Sequence, residues 1–341
     1  MVFPTQNHLA QVPVQVATAG EALIDLIQEA DGRLRPCDGG AVYNLTRALG
    51  LQGVGTLYLN PLSADRLGRG LAHGIRQAGV TLAHSEPVHQ PTSLAVVALD
   101  AQGKASYSFY RDGVADRQVN AAEMTRQCAE QPRLSTVATG CLALVADDSD
   151  KYLPWLQAQR AAGRLVVVDA NLRPAIVPDM AAYQASVMAA LGEADIVKVS
   201  DDDLATLGFT HPDPLVAARE LMAKTPARWL ALTLGAKGAA ILNRDGSGWH
   251  GAESLPVQVA DTVGAGDSFL AGMLVALLQR PSMQAARNAN ELSLDAADVQ
   301  HILGHAIASA SLCVMETGCV PPSLAQAQAR VASAQPVFKA L

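Results

Sequence analysis

Short apolar runs alternate with helix-length segments along most of this chain, and that alternation constrains the fold more than any other feature. Val14–Thr18, Gly53–Leu59, Leu134–Ala138, Leu165–Asp169, Asp195–Val199 and Arg228–Leu234 have the length and apolar character of buried strands. Between them, Ala41–Leu49, Ala64–Ala78, Asp150–Ala161, Met180–Leu191 and Pro214–Lys224 read as helices. Strands separated by helices form right-handed crossovers, so the series predicts an α/β fold whose central sheet is mainly parallel and covered on both faces. Aromatics make up only 4% of the chain, which disfavours an all-β sandwich. Half the residues are hydrophobic and 17% are charged, enough for a sizeable core and too apolar for a disordered chain.

Two stretches break the alternation. Ala22–Ile27 and Arg33–Pro36 flank an Asp31-Gly32 turn, and Thr92–Asp100 and Ala105–Arg111 flank residues 101–104. Hairpins placed this early cannot enter a parallel order. They predict a small secondary sheet, over about residues 22–37 and 92–113, that covers the ligand end of the main sheet as a lid. Residues 1–12 read as a loose arm and Arg280–Glu291 as a polar surface loop.

Several function classes are excluded early. The formal net charge is −7 and no basic stripe is present, which argues against a nucleic-acid partner. The longest apolar stretch is Leu270–Leu278, far short of the roughly 20 residues of a membrane helix. The five cysteines are scattered and include no CxxC pair, so neither a disulfide framework nor a zinc site is supported. The first residues lack the pattern of a signal peptide. A reduced, cytoplasmic protein is the expectation.

The most informative segment is Asp261-Thr-Val-Gly-Ala-Gly-Asp-Ser-Phe269. It follows a strand-like stretch, Leu255–Val259, and opens a helix that is apolar all round and therefore buried. Gly264 and Gly266 flank Ala265, so the amides at this helix start are open to an anion, which the helix dipole also favours. Asp267 then admits two readings: a helix cap, or a base that takes a proton beside a phosphate. The second segment, Gly39-Gly-Ala-Val-Tyr-Asn44, is either a glycine-rich turn or a place where a ligand approaches the backbone while Asn44 bonds it. No GxxxxGK[ST] loop exists, and GxGxxG fails because Phe269 takes the third glycine position.

Together the two segments resemble the ribokinase-like sugar kinases, also called the phosphofructokinase-B type, and bacterial fructokinase-like members above all. The resemblance runs from about Val14 to about Leu324. It implies a single ribokinase-like domain over residues 1–341, a three-layer α/β sandwich with a small β lid. In that family a GG-x-x-x-N segment touches the sugar and a DT-x-GAGD segment carries catalysis. The implied catalytic group is Asp267, with the amides of Gly264, Ala265 and Gly266 as an anion hole. The sugar would be held by Asp25 (from Gly20-Glu-Ala-Leu-Ile-Asp25), Gly39, Gly40 and Asn44, with Arg111 and Arg173 as further contacts. Arg173 closes Asp169-Ala-Asn-Leu-Arg173, and a strand-end salt bridge is its other reading. Arg111 lies in Ser108-Phe-Tyr-Arg-Asp-Gly-Val-Ala-Asp116, where a solvated edge charge is equally compatible. Lys198, Ser200, Thr233, Gly235 and Gly238 would line the nucleotide.

The resemblance also implies ATP and Mg2+, with Asp203 reaching the metal through water, and a K+ ion near Asp261 and the Val263 carbonyl. Ser200-x-x-Asp203 departs from the family's N-x-x-E. His301 and His305 stand four apart on a helix, but lack a third ligand and are assigned to surface or packing roles. The expected activity is phosphorylation of a monosaccharide hydroxyl, most of all in fructose. A 2-keto-3-deoxygluconate kinase or a ribokinase is the alternative within the class, and a non-catalytic sugar sensor the one outside it. By analogy a homodimer forms through the lid.

Overall fold

The computed structural model describes residues 12–29, 31–99, 105–285, 292–334 and 336–341. The strands, in chain order, are β1 (Val16–Thr18), β2 (Leu23–Gln28), β3 (Leu34–Gly39), β4 (Thr56–Tyr58), β5 (Thr81–Leu82), β6 (Ser93–Leu99) and β7 (Ala105–Tyr110). They continue with β8 (Thr136–Gly140), β9 (Leu165–Asp169), β10 (Ile196–Ser200), β11 (Trp229–Thr233), β12 (Ala239–Asn243), β13 (Gly248–Ala252) and β14 (Val337–Ala340). Among the described residues ten of these form one sheet, in the order β14-β13-β12-β11-β10-β9-β8-β1-β4-β5. Every neighbour from β11 to β5 is parallel, and β11 to β14 pair antiparallel. The parallel strands are buried along nearly their whole length, as sheets covered on both faces require.

The predicted strands and helices are present, with ends moved by up to three residues in either direction. Gly53 does not belong to a strand: at φ 82° it sits in a turn and donates to the Gly50 carbonyl, so β4 begins at Thr56. Leu255–Val259 is not a strand either. Its chain runs over the surface with Val259 61% exposed, and the following Ala260 amide bonds the Val314 carbonyl instead of a sheet neighbour. Of the predicted loop 280–291, residues Pro281–Ala285 form a short helix and 286–291 lie outside the described residues, as do 1–11 of the predicted arm and the 101–104 turn.

The helix Ala265–Leu278 is buried from Asp267 onward, between the helices Ala41–Leu51 and Ala296–Cys313. Phe269, Leu270, Leu274 and Val275 anchor the core on that side of the sheet. His305 is buried there too, its Nε2 2.7 Å from Gln52 Oε1, and burial lowers its pKa to about 4. It is a neutral packing group, the role assigned to it for want of a third ligand.

The second sheet has the order β3-β2-β6-β7. Two antiparallel hairpins are joined by parallel pairing of β2 with β6. One face packs Ile24, Leu26 and Leu94 over Leu71 and Ile75 of the helix Arg66–Gln77. The opposite face brings Leu23, Ala95 and Phe109 against Cys141, Leu142 and Ile176 of the main body. The hairpins thus form one lid, within the predicted segments apart from the ends of β3.

Candidate active site

The C-terminal ends of parallel strands are where ligands bind in open α/β sheets. Asp169 ends β9, Ser200 ends β10 and Thr233 ends β11 on this side. The lid rises from the same side, directly after β1.

Asp25 projects from β2 over the glycine pair. A Cβ on Gly39 would lie 2.2 Å from Asp25 Oδ2, so that carboxylate occupies the space that only a glycine leaves. Gly40 has φ 105° and sits so close to the Glu21 carbonyl that a Cβ would lie 2.7 Å from its oxygen. The pair turns the chain into the helix Ala41–Leu51, whose first turn carries Asn44. Asn44 Nδ2 donates to Asp267 Oδ2 at 2.9 Å, across 223 residues of sequence, while Asn44 Oδ1 is buried without a partner. The two glycine segments therefore meet, and Asp25 and Asp267 are close enough to repel each other.

Asp267 is 7% exposed. Burial raises its pKa above the carboxylate range, and the Asn44 hydrogen bond and the charges of Lys198 and Arg173 act against that rise. Asp25 is pushed up to about 6, by burial first and with Asp267 adding to it, against the pull of Arg173. Arg173 thus faces both carboxylates, while its Nη1 bonds the Leu172 carbonyl at 3.0 Å. Gly264 caps the helix Ala265–Leu278 in the left-handed region at φ 76°, where a Cβ would strike Cys319 Sγ at 2.1 Å. Of the three amides expected in the anion hole, that of Ala265 bonds the Thr262 carbonyl at 3.3 Å.

Lys198 reaches this turn from beneath. Its Nζ lies 3.0 Å from both Asp169 oxygens, and a Cβ on Gly266 would come within 2.9 Å of it. Burial opposes its charge, but Asp169, Asp203 and Asp267 outweigh burial and raise its pKa. A buried ammonium thus sits below the glycine turn, where negative charge would gather.

The profile of the pfkB family carbohydrate kinases matches residues 15–326. This chain belongs to that family. It is 30% identical to a fructokinase of Rhizobium leguminosarum bv. trifolii over 266 residues, 77% of this chain and 79% of the relative. A solved fructokinase of Xylella fastidiosa with bound ATP superposes with a TM-score of 0.79 at 26% identity, covering 94% of this chain and 98% of the other. A fructokinase of Vibrio cholerae O395 holding fructose, ADP and calcium gives 0.74 at 25% identity, covering 93% and 99%.

The remaining residues predicted for this carbohydrate kinase lie around that centre. Ser200 and Asp203 form a capping box at the start of the helix Asp201–Thr206. Both Asp203 oxygens are taken: Oδ1 by the Leu172 amide at 2.7 Å, Oδ2 by the Ser200 amide and hydroxyl at 2.8 Å. Thr233 Oγ1 donates to the Val199 carbonyl at 3.4 Å. Gly235, at φ 56°, has open space where a side chain would stand. Gly238, at φ 92°, lies so near the Gly251 carbonyl that a Cβ would meet it at 2.1 Å, so its glycine serves the β12–β13 hairpin. Asp261 gathers two loops, accepting from the Val263 amide at 3.0 Å and the Gly318 amide at 2.9 Å.

Arg111 is not a solvated edge charge, since its side chain is only 11% exposed. It turns inward toward Asp148 rather than joining the Asp25–Asn44–Asp267 group. Asp169 and Glu21 were not singled out from sequence. Asp169 ends a buried strand of the parallel sheet, which was a usable signal. Glu21 Oε1 accepts from the Ala41 amide at 2.8 Å, and a neighbour of that kind is set by the turn, so nothing local marked it.

Proposed function

We propose that this kinase transfers the terminal phosphoryl group of ATP to a hydroxyl of fructose. The observation that carries the reading is Asp267: a buried carboxylate at a glycine-started helix, held by Asn44, facing the lid carboxylate Asp25. The fructokinases among its relatives support the choice of sugar. Fructose lies under the lid, its hydroxyls held by Asp25, the backbone of Gly39 and Gly40, and Asn44, with Arg173 at the edge. Asp267 accepts the proton of the attacking hydroxyl. The raised pKa suits a base that must work near neutral pH. The amides of Gly264 and Gly266, with the Lys198 ammonium below them, offset charge on the transferring phosphoryl group. The nucleotide lies along Ser200, Thr233, Gly235 and Gly238.

Among the described residues, no group of three or more His, Cys, Asp or Glu side chains is placed to hold a metal. A Mg2+ ion brought with ATP would be held mainly by the nucleotide phosphates and water, with Asp203, whose Oδ1 accepts only the Leu172 amide, reaching it through water; it would offset the phosphate charge. A potassium ion beside Asp261 and the Val263 carbonyl is part of the proposal, tested by comparing rates in potassium and in a bulky organic cation. Among the described residues no helix is long and apolar enough to cross a membrane. On this reading the enzyme works in the cytoplasm as a dimer joined through the lid, whose edge strand β3 exposes Leu34 at 47%. Leu34→Arg should then shift the sedimenting species to half the mass.

An ADP-release assay over fructose, ribose, glucose and 2-keto-3-deoxygluconate decides the main claim. Fructose should give the highest kcat/KM. A higher value for the sugar acid would select the second reading, which Arg173 keeps in view as a cation acting on Asp25 and Asp267. No turnover with any sugar would leave a sensor.

A further inference from the structure

We propose that Asn60 is a positioning residue: it ties together the segments that carry the chain into and out of the lid, and thereby holds Asp25 in place for sugar binding. The proposal rests on the reading of Asp25 as a sugar contact and names what keeps it there.

Each lid hairpin is entered from the body and left toward it, so the chain crosses between the two at four places: residues 20–22, 39–41, 91–93 and 111–116. β1 and β4 pair in parallel with Thr18 beside Tyr58, which sets the residues just past the strand ends, Gly20 and Asn60, against each other. The Gly20 amide donates to Asn60 Oδ1 at 2.8 Å, and the Tyr58 hydroxyl donates to the Gly20 carbonyl at 2.8 Å. Asn60 Nδ2 donates to the Asp116 carbonyl at 2.7 Å and to the Tyr152 hydroxyl at 2.8 Å. One side chain, 1% exposed, thus joins the first crossing to the last. It must accept at one end and donate at the other, which an amide does and an ionised carboxylate cannot.

The remaining crossings are fastened to these two. Asp116 Oδ1 accepts from the Ser93 hydroxyl at 2.5 Å, and the Ala115 amide donates to the Pro91 carbonyl at 2.9 Å, which brings in the entry to β6. Glu21 Oε1 accepts from the Ala41 amide at 2.8 Å, and the Glu21 carbonyl from the Tyr43 amide at 3.2 Å, which brings in the exit from β3. Val42 packs so closely on Gly20 that a Cβ there would lie 2.4 Å from Val42 Cγ2. Glu21, Ser93 and Asp116 are each at most 2% exposed, so a bond lost among them leaves a buried polar group that water does not satisfy.

The network bears on binding because Asp25 follows Gly20 and Glu21 on β2, whereas Asn44 and Asp267 belong to the body. A sugar that bonds both sides needs the lid at one setting. With the crossings tied, that setting is populated before the sugar arrives. Without Asn60 the lid spreads over other settings, and apparent affinity falls with the fraction that stays competent. The step at Asp267, once sugar is bound, is unaffected.

The experiment compares Asn60→Ala, Ser93→Ala and Tyr152→Phe with the wild type by kcat and KM for fructose, KM for ATP, thermal melting, and amide exchange at Ala41 and Tyr43. Asn60→Ala should raise KM for fructose about tenfold, with kcat and the KM for ATP within about twofold. It should also speed exchange at Ala41 and Tyr43, which Asn60 does not touch. Ser93→Ala loosens a single crossing and should raise KM for fructose about threefold. Tyr152→Phe removes only a bond between Asn60 and the body, and should leave that KM unchanged even where it lowers the melting temperature. A merely structural Asn60 would lower the melting temperature without separating KM from kcat. The proposal is overturned if Asn60→Ala leaves the KM for fructose unchanged, if Tyr152→Phe raises it as much, or if the loss falls on kcat instead. Should Asn60→Ala fail to fold, Ser93→Ala decides, an unchanged KM overturning the proposal. Wild-type enzyme inactive on fructose would bring down the proposed function instead, and exchange at Ala41 and Tyr43 in Asn60→Ala would then decide, unchanged rates overturning the proposal.

Discussion

The ten-stranded sheet and the four-stranded lid divide one site between two kinds of structure. The main body, whose central parallel strands are buried on both faces, holds Asn44, Asp169, Lys198 and Asp267 by hydrogen bonds and ion pairs that run between distant elements. The lid is half exposed: β3 shows Leu34, Arg35 and Pro36 to solvent while its neighbour β2 carries Asp25. On the proposed reading the body carries the chemistry and a thinner plate carries part of the binding. Reaction needs atoms fixed to a fraction of an ångström, whereas sugar entry needs a part able to move.

The comparison breaks most readily at Asp267. Asp267→Asn should cut kcat by about 10²–10⁴-fold, while ATP affinity measured by calorimetry stays near the wild-type value. If most turnover survives, the base is elsewhere and the main body loses its claim to the chemistry. On the lid, Asp25→Ala should act differently, raising KM for the sugar by about 10–100-fold through loss of a charged hydrogen bond, with a smaller effect on kcat. A kcat loss equal to that of Asp267→Asn would erase the division.

Stability should divide in the same way. Lys198→Met strands Asp169 in the core and should cost about 3–5 kcal/mol in denaturant unfolding, whereas Leu34→Thr on the exposed lid edge should cost under about 0.5 kcal/mol. Equal costs would mean that the lid is as integral as the body.

The smallest effect is on pH. Asp25 titrates near 6 and Asp267 above the ordinary carboxylate range, both raised first by burial. An acid with a raised pKa takes up its proton earlier as pH falls. The acidic limb of kcat/KM should therefore begin near pH 6, where Asp25 titrates, rather than near the usual carboxylate value of about 4. Asp25→Asn should simplify that limb to one ionisation, and an unchanged profile would take Asp25 out of it.

Sequence legibility followed the same boundary. The parallel strands were readable because burial on both faces makes them plain apolar runs, and the apolar helix after Asp267 announced its depth. The antiparallel edge β12–β14 was missed, since its short strands lack that signature and Gly248 and Gly251 interrupt β13. Leu255–Val259 misled for the opposite reason: an exposed segment can alternate apolar residues without pairing. In the site, the two glycine motifs meet in the fold, Asn44 bonding Asp267 across 223 residues of sequence. The partner of Arg111 was unreadable. Asp148 meets it only through the fold and looks in sequence like any surface acid.

The parallel pairing of β2 with β6 ties the two hairpins into a single leaf, joined to the body by the segments that leave β1 and enter β6. Asp25 rides on the leaf, and Asn44 stays on the frame. A sugar gripped by both is itself the bolt, so the empty doorway and the shut one differ by the guest alone. Amide exchange in residues 23–28 and 93–97 should slow when fructose is added and stay unchanged in Asp25→Ala, where the bolt has nothing on the leaf to catch.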